Sequence, residues 1–204
     1  MEAYKLMKHS LFHPLEFYSD IQSDGKAKLR NALMIMVLAI AARLISLMLS
    51  GYAFRTREAY DVSVPLEAAW IVIPWLTWAL ANWAVATIMD GEGKFKDVLI
   101  SGAYVYVPYI VLIIPISLLS NIMTLKEASF YNAITFFVTL WTLFLLLTHV
   151  KIIHDFELGK TMGVTLLSIF GMLIIWFIVL LVFGLVSQSL KFVLDIIKEI
   201  SYRA

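Results

Sequence analysis

Apolar residues run through this chain in five long stretches, 33–42, 66–89, 98–123, 130–150 and 162–187, and most charged residues lie between them. A hydrocarbon layer about 30 Å thick needs roughly 20 helical residues at about 1.5 Å each, and four of the stretches meet that length directly. Arg43 interrupts the first, yet 31–50 is still long enough to cross if the arginine reaches toward the headgroups. The pattern predicts an all-α fold: a polytopic membrane helix bundle with five transmembrane helices at about 31–50, 66–89, 98–120, 130–150 and 162–187. The connections are too short for a soluble domain, so 1–204 reads as a single membrane domain.

Both ends carry amphipathic patterns. Pro14 suits the first turn of a short helix that would place Phe17, Tyr18 and Ile21 on one side and Glu16, Asp20 and Asp24 on the polar side. Aromatics beside charges suit the headgroup region, so segment 1–30 is expected to be interfacial. In the tail, 188–204, Leu190, Val193, Leu194, Ile197 and Ile200 recur at helical spacing, punctuated by Lys191, Asp195, Lys198 and Glu199. The tail is expected to lie along the outer leaflet in preference to extending the last span.

Composition agrees with the pattern: 61% hydrophobic and 15% charged residues lie outside the soluble range. The absence of cysteine excludes a disulfide framework, a thiolate nucleophile and cysteine-ligated metal sites. A net charge of +1 gives no case for a nucleic-acid partner. The first 30 residues carry charges throughout and lack the apolar core of a secretory signal. Lys5, Lys8, Lys26, Lys28 and Arg30 precede the first span; placing them in the cytoplasm puts the 90–97 and 151–160 loops there too. Nine Lys/Arg then face inward and six outward, among them Arg55, Arg57 and Lys126. This modest bias predicts a multi-pass cell-membrane protein with a cytoplasmic N-terminus and an external C-terminus.

The second and third spans hold Pro74, Pro108 and Pro115, each of which removes a backbone hydrogen bond and favours a bend. Trp70, Trp75, Trp78 and Trp83 lie at depths that an interfacial belt does not explain, and read as packing residues. Between these spans runs DGEGKFKD, in which Gly91 and Gly93 are expected to supply permissive turn geometry. It lacks the GxxxxGK[ST] pattern of a phosphate-binding loop. Two readings stay open: an ordinary tight turn, or a partner or lipid-headgroup contact made by Asp90, Glu92, Lys94, Phe95, Lys96 and Asp97.

Candidate chemistry is sparse. His149, His154, Asp155 and Glu157 cluster at the end of the fourth span, but on one helix histidines five residues apart point about 140° apart. They read as structural. His9 and His13 have a better interval for a metal, which Pro14 disturbs. No GxSxG elbow frames a serine. Arg43 sits in the outer half of its span and Glu67 enters the next from that side, so an intramembrane ion pair and snorkelling of Arg43 are both open. Asn82, Thr77, Thr87, Thr135, Thr139, Thr142 and Thr148 are expected to make interhelical bonds.

LFHPLEFYSDIQSDGKAK at 11–28 and GEGKFKDVLISGAYVYVPYI at 91–110 resemble the prokaryotic branch of the Ypt-interacting-protein (YIP) domain family. The likeness rests on His13-Pro14 with Glu16 and Phe17, the glycine-bounded loop with Phe95, then Tyr104 and Pro108, and it covers almost the whole chain. It implies five membrane helices and a cytoplasmic N-terminus. Eukaryotic members are linked to vesicle trafficking, membrane shaping and prenylated GTPases, whereas prokaryotic members largely lack an assigned biochemical function. The DLYGP motif of the eukaryotic branch and an extended N-terminal region are absent, which argues against GTPase binding. The resemblance carries no catalytic residue. The expected role is a non-enzymatic scaffold without cofactor or metal that binds membrane lipids and another membrane protein or further copies of itself. The alternative is an accessory or permease-like subunit of a transport system.

Overall fold

A computed structural model describes residues 2–24, 28–55 and 62–203; Lys26 and Arg57, both used in the charge tally, lie outside the described residues. The described residues form eight α-helices: α1 (Glu2–Phe12), α2 (Pro14–Asp24), α3 (Leu29–Leu49), α4 (Val64–Ile88), α5 (Phe95–Ala103), α6 (Val107–Leu119), α7 (Ala128–Ile153) and α8 (Leu158–Arg203). Five segments are long and apolar enough to cross a membrane: α3, α4, α5 with α6 (Phe95–Leu119), α7 with its preceding turn (Leu125–Ile153), and α8 through Ile196. They alternate in direction, so α1, α2 and the α4–α5 and α7–α8 loops share one end of the bundle, here the near end. The α3–α4 and α6–α7 connections lie at the far end.

On α3 the buried positions Ala32, Ile35, Met36, Ala39, Ala42 and Ser46 form a stripe at helical spacing. Its small side chains let α6 approach closely, the usual device where lipid supplies no hydrophobic drive between helices. At the far end the Gly51 N–H donates to Ser120 Oγ at 2.8 Å, and a Cβ on Gly51 would overlap the Ser120 carbonyl. The third span is interrupted by a 3-10 turn at Tyr104–Tyr106 just before Pro108. Proline offers no N–H to the Tyr104 carbonyl one turn back, and the chain tightens there. Pro74, by contrast, lies inside an unbroken α4.

The two ends pack differently. The apolar face of α2 is covered by protein: Phe17, Tyr18 and Ile21 are buried in one core with Ala32, Ile35, Val98, Tyr104 and Ile153. The Phe17 ring lies 4.7 Å from Tyr104 and the Tyr18 ring 5.6 Å from His149. α2 thus plugs the near end between α3, α5 and α7, because covering that core removes more apolar surface than a headgroup region could. At the other terminus, α8 is one continuous helix of 46 residues, so the tail extends the last span instead of lying across the leaflet. Residues 185–203 contain no proline or glycine, and nothing local ends the helix.

Candidate functional site

Two helix C-termini meet at the near end. α4 closes at Met89 and α7 at His154, and each is followed by an aspartate with positive φ, 56° at Asp90 and 52° at Asp155. Aspartate tolerates this left-handed position better than most side chains. The freed carbonyls are capped in the same way: Gly91 N–H donates to Ala86 O at 2.8 Å, and Phe156 N–H to Lys151 O at 2.9 Å. The turn geometry expected of Gly91 and Gly93 is therefore carried by Asp90. The glycines allow close approach instead. A Cβ on Gly91 would stand 2.8 Å from the Phe156 ring, and one on Gly93 would stand 2.6 Å from His154 Nδ1.

His154 joins three helices. Its Nε2 lies 3.0 Å from Asn82 Oδ1 on α4; Asn82 Nδ2 donates to Ser168 Oγ on α8 at 3.1 Å, and Ser168 Oγ donates to Val164 O at 2.7 Å. An amide oxygen only accepts, so Nε2 carries the proton. All three side chains are buried. Burial pushes the imidazole pKa down to about 4, so it is neutral at neutral pH. The ring stacks on Phe156, whose other partner is Lys160 Nζ, 4.5 Å from the ring centroid.

Of the residues predicted to make a contact surface, Asp90, Glu92, Lys94, Phe95 and Lys96 are exposed and Asp97 is half-buried. The loop proper ends at Lys94. Phe95, Lys96 and Asp97 form the first turn of α5, where the aspartate complements the helix dipole. Phe95 packs edge-on to Trp83 with ring centroids 5.7 Å apart.

In the membrane, Arg43 Nε donates to Glu67 Oε2 at 3.0 Å; Glu67 is almost fully buried. A groove of about 470 Å³ surrounds the pair, lined also by Trp70, Tyr106, Tyr109 and Thr142. Asn82 bonds across helices, and Thr77 accepts from Trp176 Nε1 at 3.2 Å. Thr87, Thr135, Thr139, Thr142 and Thr148 instead donate to carbonyls four residues back on their own helices, because the local acceptor is already in place. His149 faces Tyr18. His9 Nε2 lies 3.6 Å from Glu16 Oε2, and among the described residues no three His, Cys, Asp or Glu side chains gather as a metal-binding group.

The interhelical bond expected of Asn82 is present, but its partners His154 and Ser168 were missed in the sequence. The signal was two polar residues, Asn82 and Ser168, within apolar spans, and what pairs them is the packing of α4 on α8.

A family model described as the Yip1 domain matches residues 8–181. No curated protein and no solved structure matches the chain. The match runs from α1 through the first half of α8, covering four membrane segments and much of the fifth, and the chain belongs to the Yip1 domain family.

Proposed function

We propose that this protein is a non-enzymatic membrane scaffold that docks another membrane protein at the near end of the bundle, on its cytoplasmic side. The observation that carries the reading is the pairing of the α4–α5 and α7–α8 loops. His154 and the two glycines lock the loops together from beneath while Glu92, Lys94, Phe95 and Lys96 face outward. A surface held in place before binding loses little entropy on docking, and an aromatic flanked by charges is a common anchor. The absence of the DLYGP motif fits the prokaryotic branch.

Crosslinking from a photoreactive residue at position 95, followed by mass spectrometry of intact membranes, tests the docking surface. A reproducible protein adduct that Phe95→Ala weakens, with folded yield unchanged, supports it. Only intramolecular or lipid products there, with a protein partner captured elsewhere, reject it. For orientation, single cysteines replacing Lys94 and Lys126 should react with an impermeant thiol reagent from opposite sides; labelling of both in sealed cells overturns the cytoplasmic placement.

A second reading, an accessory subunit of a transport system, draws support from the groove that holds the charged pair Arg43 and Glu67. Recovery of an ATP-driven transporter after gentle detergent extraction favours it.

A further inference from the structure

The 46 residues of α8 span about 69 Å at 1.5 Å per residue, more than twice a hydrocarbon layer of about 30 Å. Its first half packs on α4. Gly171 lies against Ala81, Trp176 donates to Thr77, and Val179 shares an apolar groove with Leu66 and Trp70. α4 begins at Val64, and α8 runs to Arg203, 24 residues past Val179.

The face that meets α4 continues beyond it. Trp176, Val179, Phe183, Val186, Leu190, Val193, Ile197 and Ile200 follow one another in alternating steps of three and four residues. Gln188, Lys191, Asp195, Lys198 and Tyr202 repeat the same alternation on the opposite side. An apolar period of 3.5 residues with a polar one opposite it is the pattern of a left-handed helix–helix seam. Past Val179 the seam is exposed: Phe183 is 70% exposed, Val186 52%, Leu190 59% and Val193 51%. Lipid covers such a face only within the membrane, and a straight helix of about 69 Å is too long for the layer, so its last turns leave it.

We infer that the far half of α8 is a self-association helix through which further copies of this chain assemble as a parallel coiled coil of three or four strands. Parallel order follows from insertion, since every copy crosses the membrane in the same sense. Strand number follows from the core positions. Phe183, Leu190 and Ile197 take one set and the β-branched Val186, Val193 and Ile200 the other, an arrangement that favours three or four strands over two. Leu194 and Ile196 flank the seam and widen the apolar face, as a higher-order bundle requires, while Lys191, Asp195 and Lys198 stay in water. The seam lies at the opposite end from the proposed docking surface and stands independently of it.

The chain has no cysteine, so single introduced cysteines report the seam without background. Val186→Cys, Leu190→Cys, Val193→Cys and Ile197→Cys, oxidised mildly in native membranes, should give disulfide-linked dimers. Gln188→Cys, Lys191→Cys, Asp195→Cys and Lys198→Cys should give at least about tenfold less, because a disulfide needs Cβ atoms roughly 4 Å apart. Light scattering in mild detergent should find three or four copies, reduced to one by Leu190→Glu with Val193→Glu, which leaves the span itself intact. A flat crosslinking profile, a different protein captured at the seam, seam cysteines hidden in lipid without crosslinks, or a dimer each overturns the inference.

Discussion

The two ends of the bundle are built on opposite terms. At the near end α2 inserts Phe17, Tyr18 and Ile21 into the protein core, and two loops close on each other around His154. At the far end α8 leaves the other helices and carries Phe183, Leu190 and Phe192 largely exposed. The amphipathic patterns of the two termini look alike in sequence, yet one is folded back into the protein and the other is not. Amphipathicity states that a face needs covering; which surface covers it depends on what stands within reach. Pro14 and the short link to α3 return α2 onto its own bundle, whereas nothing turns α8.

The sharpest way to break this comparison is to truncate one aromatic at each end. Phe17→Ala should cost about 3–5 kcal/mol of stability in detergent, the usual loss for a large buried ring. Phe192→Ala, which lies off the proposed seam, should change it by less than about 0.5 kcal/mol. Equal losses would show that the near end is not the better packed.

The pH dependence of the near end comes next. The folded His154 pKa is about 4 against an ordinary 6.5, so the unfolded chain takes up the proton first. Stability contributed by neutral His154 is full above about pH 6.5 and is lost progressively as pH falls toward 4, on the order of 3 kcal/mol in all. Denaturation at pH 7 and pH 5 should show the drop in the native protein, and His154→Gln should make it smaller. An unchanged slope in that variant would remove His154 from the account.

In the membrane, Arg43→Met leaves the buried Glu67 carboxylate without its arginine and should cost about 2–3 kcal/mol, discounted because Arg43 is partly exposed. Arg43→Met with Glu67→Leu should recover most of that loss. Strictly additive losses in the double-mutant cycle would show that the 3.0 Å contact carries no coupling.

The smallest expected effect is the most local. Gly93→Ala places a methyl 2.6 Å from His154 Nδ1 and should cost about 1–2 kcal/mol as the loop shifts. Gly184→Ala on α8, where nothing lies within 4 Å of a Cβ, should be neutral or slightly stabilising as a helix former replaces glycine. Thermal unfolding of the two variants separates them.

Period and length along the chain were enough to determine five membrane-crossing segments, because the bilayer is a solvent whose thickness sets helix length before any tertiary contact forms. The outward residues of the 90–97 loop were legible as well, since charges beside one aromatic between two spans have little choice but the surface. Tertiary structure alone decided the rest. Asn82, His154 and Ser168 are scattered over 87 residues, and only the packing of α4 on α8 brings a donor to an acceptor. Gly91 and Gly93 read as flexible turn residues until the neighbouring loop is seen pressed against them. The fates of α2 and α8 could not be told apart from their patterns, because a hydrophobic face records the need for burial and carries no direction toward the surface that meets it.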